Sequence, residues 1–175
     1  MTRCFGALLL LSACGSADRG GTHTGDSPST KNDPCAPAVE IGTGEQFFVG
    51  LTPGDPLMMV HGPQGGWHML AGVRITGTAP EVHIKYEIVH QPTGLVVSDN
   101  SYNLALLMDQ DCSGTFVGMY GYLDVSGLVD GELNTPPELI AGDNMILRMD
   151  VQDFNFVKTS GELMVTAALD PVDQR

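Results

Sequence analysis

Imidazole and thioether groups gather in one short stretch of the chain. His61 and His68 flank a Gly-Pro loop, and Met58, Met59 and Met69 stand beside them in sequence. Imidazole with thioether is a soft donor set that suits copper, above all Cu(I). If the runs on either side of the loop pair as a hairpin, His61 and His68 lie near each other at its mouth, and His61 and His68 are the metal-ligand pair to test. His83 and His90 repeat the same spacing of seven. Methionine also fills irregular cores, and His83 reads as a solvated strand residue, so a copper site requires that the two loop histidines converge. Oxygen donors offer calcium as a second ion: Asp109 and Asp111 flank Gln110, and Asp150 and Asp153 sit near a strand end. Their spacing is not that of an EF-hand.

Covalent catalysis finds no matching pattern. A His-Gly pair after a strand, as at His61-Gly62, would need a Gly-x-Ser-x-Gly elbow on an α/β sheet, and the chain has neither. Ser113 and Ser126 have Gly neighbours but no elbow. Gly62 to Gly66 lacks the Lys and following helix of a phosphate loop. The chain is therefore read as no enzyme. Trp67, Tyr120 and Tyr122 could stack on a sugar, although the parity of Trp67 directs it to the core.

The elements that position these groups follow from alternation and turn chemistry. Leu57 to His61 is a short apolar strand. Gly62, Pro63, Gln64, Gly65 and Gly66, with Trp67 and His68 beyond them, form the expected binding loop, where Gly and Pro break regular structure. From Trp67 a period of two resumes, with Met69, Ala71, Val73 and Ile75 on the side of Trp67 and His68, Leu70, Gly72, Arg74 and Thr76 opposite. Glu81 to His90, Asn144 to Val151 and Glu162 to Leu169 alternate in the same way. Glu45 to Leu51 reads as the first strand, with Phe47, Val49 and Leu51 on one face. Leu95 to Ser98 and Tyr102 to Asp109 read as a strand pair broken at Asp99 and Asn100. Thr115 to Val125 is apolar on both faces. Phe154 and Phe156 fall on the wrong parity, which predicts a bulge or strand end near Gln152 and Asp153. Gly127 to Gly142, interrupted by Pro136-Pro137, is the longest expected loop. Seven to nine such strands without helices indicate an all-β antiparallel sandwich. The last hairpin resembles that of immunoglobulin-like domains, but Cys35 and Cys112 lie outside the strands that carry their inter-sheet bridge.

The N-terminus speaks to location. Arg3 precedes an apolar run, Phe5 to Leu11, too short to span a bilayer. Leu11-Ser12-Ala13-Cys14 then resembles the lipobox of bacterial lipoproteins. The resemblance implies a signal peptide over 1–13, a diacylglyceryl thioether on Cys14 and an amide-linked acyl chain on its amine. Gly15 in place of Asp tilts sorting towards the outer membrane. Residues 14–38 read as a lipidated cysteine and tether of Gly, Ser, Thr, Asp and Pro, followed by a β-domain over 39–175. Gly62-Pro63-Gln64-Gly65-Gly66-Trp67-His68 resembles a motif of uncharacterised bacterial lipoproteins and implies no activity. Export leaves Cys35 and Cys112 to form a disulfide. With 8 Lys and Arg against 21 Asp and Glu, the net charge is −13, which repels nucleic acid. The partners expected are the membrane, through the anchor, and an envelope protein or polysaccharide.

Overall fold

The computed structural model describes residues 33–62, 66–128 and 139–171. The lipobox, His23, and Pro63, Gln64 and Gly65 of the loop lie outside the described residues, as do 129–138. Residues Asn32–Arg175 form one compact unit. Ten strands build it: β1 (Ala38–Thr43), β2 (Val49–Gly50), β3 (Pro56–His61), β4 (Trp67–Thr76), β5 (Glu81–His90), β6 (Leu95–Ala105), β7 (Leu107–Met108), β8 (Ser113–Tyr122), β9 (Asn144–Asp153) and β10 (Lys158–Leu169). Helical turn among the described residues is limited to short 3₁₀ pieces, the segment Ser126–Leu128 and Leu139. No helix there is long and apolar enough to cross a membrane.

The all-β reading holds, with two corrections. The strands among the described residues number ten, not seven to nine. They are also not all antiparallel, because β3 runs parallel to β10 over Pro56–Met59 and Thr166–Leu169. Hydrogen bonds join the strands in the order β2-β1-β4-β3-β10-β9-β5-β6, with β8 on the remaining edge of β4 and β7 on β8. The sheet curls over its core. The amide of Asp124 just past β8 donates to Val97 O of β6, and the Tyr102 hydroxyl donates to Tyr120 O.

Alternation sets the core. Met69, Ala71, Val73 and Ile75 of β4 are fully buried, as are Ile84, Tyr86 and Ile88 of β5 and Met145, Leu147 and Met149 of β9. Each such side chain contributes about 1.5–3 kcal/mol by leaving water. Close approach of β8 to β5 requires glycine: a Cβ on Gly121 would lie 2.5 Å from Ile88 Cδ1 and 3.0 Å from the Tyr86 hydroxyl. Among the described residues that buried hydroxyl has no hydrogen-bond partner, and burial pushes the phenol far above its usual range.

The outer face of β10, β9, β5 and β6 is polar by the same parity. Lys158, Gln152, His83 and Asn103 form one cross-strand row, and Glu162, Arg148, Glu87 and Asp99 another. The expected strand at Glu45 to Leu51 is replaced by β1 and the two-residue β2. Phe47 is 78% exposed, and Phe48 covers Gly42 and carries the Arg74 guanidinium 4.8 Å above its ring. The expected break at Asp99 and Asn100 is absent, and β6 is continuous there. The strand end expected near Asp153 is present, since β9 stops at that residue.

The sequence-distant cysteines meet. Cys35 and Cys112 are disulfide-bonded with Cα atoms 5.7 Å apart. They fasten the first described residues to the turn between β7 and β8.

Candidate functional site

The β3–β4 hairpin closes with Gly62 N donating to Gly66 O at 3.0 Å, and Gly66 takes φ +82°. Glycine reaches that conformation at no steric cost. The register pairs Met59 with Met69, Val60 with His68 and His61 with Trp67. Directly opposed residues share a face of a sheet. His61 and His68 therefore occupy adjacent rungs and alternate faces.

On the inner face His61 meets Trp67 edge-on, with ring centroids 5.0 Å apart. Trp67 is half-buried against the core, as its parity predicts, and its carbonyl accepts from Leu123 N. Met59 and Met69 lie one rung deeper on this face and are fully buried. Met58 points the other way and is exposed.

On the outer face β8 completes a different cluster. His68 pairs with Tyr122 and Leu70 with Tyr120. The His68 ring stands edge-on to Tyr120 at 4.7 Å and tilted to Tyr122 at 6.0 Å. The two tyrosine rings lie within 20° of parallel at 5.9 Å. His68 is only 5% exposed beneath them, whereas Tyr120 and Tyr122 are 42% and 58% exposed. The tyrosines thus stand half-exposed over a buried imidazole.

Burial, and then the charge of nearby His61, hold the His68 imidazole below its usual pKa. The neutral ring is thus the form that fits the site. In the unfolded chain His68 titrates near 6.5. Its contribution to stability is complete above that pH and is lost as pH falls through the lower folded value. Comparing melting curves of the wild-type and His68→Gln chains at stepwise lower pH tests this. The wild type should lose stability relative to the variant as pH drops below 6.5. Parallel curves would show that His68 does not carry the effect. Asp153, Asp111 and Asp124 act lower, below their unfolded value of 3.8.

The other candidates serve structure. Asp153, itself buried, accepts from Ala79 N, Asn155 N and Val157 N at 2.8–2.9 Å; the Ala79 bond leads in holding its carboxyl low. Asp111 accepts from the amide and hydroxyl of Ser113, and Asp124 likewise from Ser126, so each hydroxyl is committed to a neighbouring carboxylate. Asp150 lies on the polar outer face, opposite Lys85 and Ser160. His83 and His90 face opposite ways. His83 bonds Asn103 at the surface, while buried His90 places Nε2 3.0 Å from Asp143 Oδ2 and Nδ1 2.9 Å from Thr93 Oγ1. Among the described residues no three His, Cys, Asp or Glu side chains converge as a metal site.

Sequence reasoning named both tyrosines but did not join them to His68. The joining signal is their period of two on β8, which informs only once β8 is paired with β4. No family model matches the chain, and no curated protein does. Among solved structures, the CooA pilin subunit from enterotoxigenic Escherichia coli is similar with a TM-score of 0.34 at 11% identity, over 76% of this chain and 99% of that one.

Proposed function

We propose that this chain is a lipid-anchored protein of the bacterial cell envelope, held at the outer membrane through Cys14, and that it recognises a polysaccharide without catalysis. The exposed Tyr120–Tyr122 pair over buried His68 carries the reading. Flat apolar ring faces take the C–H face of a pyranose, and the phenol hydroxyls bond its rim. A rigid sheet, not a loop, holds both rings, which lowers the ordering cost of binding. The hydroxyls of Ser113 and Ser126 are taken up in local hydrogen bonds to Asp111 and Asp124.

The test is retention of the purified full-length chain on immobilised envelope polysaccharides and soluble oligosaccharides. The Tyr120→Ala/Tyr122→Ala chain should bind at least about tenfold more weakly, a loss of about 1.4 kcal/mol. Its melting temperature should fall by only a few degrees, because both side chains are about half exposed and lose mainly their contacts with His68. Equal retention of both chains on every glycan would end the glycan reading.

A second reading keeps copper but moves it to the inner face. There His61 shares its side of the hairpin with Met59, Met69 and Trp67, whereas His68 looks outward. Trp67 is the single tryptophan, so its fluorescence reports this site alone. With free thiols alkylated, Ag(I) should quench it in the parent chain and about tenfold less effectively in Met69→Leu or His61→Gln. Unchanged emission in the parent chain would remove the copper reading.

A further inference from the structure

The folded unit has two poles. At one, Thr76 Oγ1 donates to Ala36 O, Gly77 N donates to Cys112 O, and Cys35 is bridged to Cys112. Ala79 N reaches Asp153 Oδ2 there, so the β9–β10 tip stands beside the first described residues. Trp67 and Tyr122 lie at the opposite ends of β4 and β8. Ten residues of β4 separate the poles by about 30 Å.

The β9–β10 tip at the first pole exposes large apolar side chains where a solvated tip would be polar. Phe154 and Phe156 are 63% and 77% exposed, and Leu107, on β7 at the same end of the sheet, is 75% exposed. Phe156 also sits at φ +64°, where Gly or Asn would relieve strain. The tip is clamped in that shape. Asp153 N donates to Val157 O, Phe156 N donates to Asp153 O, and the buried Asp153 carboxylate takes the amides of Asn155 and Val157. A strained backbone fixed by a buried carboxylate holds two aromatic rings out in water. Strain of this kind gathers at sites of function.

We propose that the Phe154–Phe156 tip docks on the lipid surface in which Cys14 is anchored. The inference rests on the lipid-anchor reading above. Nineteen residues lead from Cys14 to Asp33, at most about 65 Å of extended chain. They enter the fold at this pole, so the chain leaves the anchor for this end of the domain. The rings settle at the boundary of headgroups and acyl chains, where exposed aromatic side chains leave water. Glu81, Asp109 and Asp111 near the same pole outnumber the exposed Lys158 beside the tip, which fits a zwitterionic surface better than an anionic one. Docking here turns the Tyr120–Tyr122 face away from the membrane.

The experiment imposes the anchor. A full-length Cys4→Ser chain is coupled through Cys14 to a maleimide lipid in phosphatidylcholine vesicles. Phe156→Trp in a Trp67→Phe background reports on the tip, and Trp67 of the parent chain reports on the far pole. Lipids brominated in the acyl chain should quench the tip reporter at least twofold and shift its emission to the blue, while leaving Trp67 unquenched. A Phe156→Gly chain should melt higher, its strain relieved. With Phe154→Trp as reporter, it should lose more than half of the bromolipid quenching. A tip reporter as open to aqueous iodide on vesicles as in solution overturns the docking. Mass spectrometry showing unacylated Cys14 in the host overturns the anchor reading instead, since the vesicle measurement supplies its own anchor.

Discussion

Serine at both Cys35 and Cys112 is expected to lower the unfolding free energy by up to about 4.5 kcal/mol on the chain-entropy account of disulfides. The bridge closes a loop of sequence separation 77, the span that sets this figure. The native consequence is local. Ala36 and Pro37 reach β4 through the Thr76 hydroxyl bond, and Gly77 N bonds Cys112 O, so both cysteines belong to one small cluster of contacts. Removing the bridge leaves those bonds to order the entry of the chain alone. Denaturant unfolding of the oxidised chain and the double-serine chain measures the loss. A melting point lower by roughly 10–15 °C corresponds to it in a domain of this size. Coincident unfolding curves would mean that the unfolded chain gains nothing from the opened loop, and the stabilising role would be gone.

How far the sequence reveals this architecture depends on the range of each contact. β5 and β9 are legible because alternation is local: Val82, Ile84, Tyr86 and Ile88 share a face whatever they pair with. Turns marked by Gly and Pro are local too. The first strand is misplaced because Phe47 and Val49 imitate a buried alternation, yet that segment bends away and leaves both exposed. Asp99 and Asn100 resemble a break, but β6 lies at the end of the strand order, paired through β5 alone, and such a strand tolerates polar residues. The parallel pairing of β3 with β10 joins segments more than a hundred residues apart, and no local pattern encodes it.

The candidate site divides in the same way. The hairpin around residues 61–67 is legible, but its register is not, and one rung decides the face. Pairing His61 with Trp67 sends His68 to the other side of the sheet, under Tyr120 and Tyr122. Tyr120 and Tyr122 meet His68 only through a partner strand some fifty residues away. The exposed tip at Phe154 and Phe156 shows in sequence only as a lapse of parity. Its meaning comes from Asp153, whose buried carboxylate no periodicity reveals.

Gly77→Ala is expected to cost about 3 kcal/mol or more, because backbone conformation and space act together. Gly77 has φ +68°, which penalises any L side chain by about 1–2 kcal/mol. A Cβ there would also run into the Cys35 carbonyl oxygen and lie 2.7 Å from Pro37 N and 2.9 Å from Ala36 C. These are main-chain atoms that cannot rotate aside. Gly94 and Gly142 separate the two effects. Both have positive φ, but an added Cβ meets nothing within 4 Å at either. Alanine at those positions should cost only the conformational part, about 1 kcal/mol. The bridge then enters the comparison. With Cys35 freed from Cys112, the segment pressing on Gly77 can retreat, so Gly77→Ala should cost at least about 1 kcal/mol less in the double-serine chain. A double-mutant cycle by denaturant unfolding measures that coupling. Equal losses with and without the bridge would place the penalty in φ alone. Equal losses at Gly77 and Gly94 would show that the crowding at Gly77 relaxes freely.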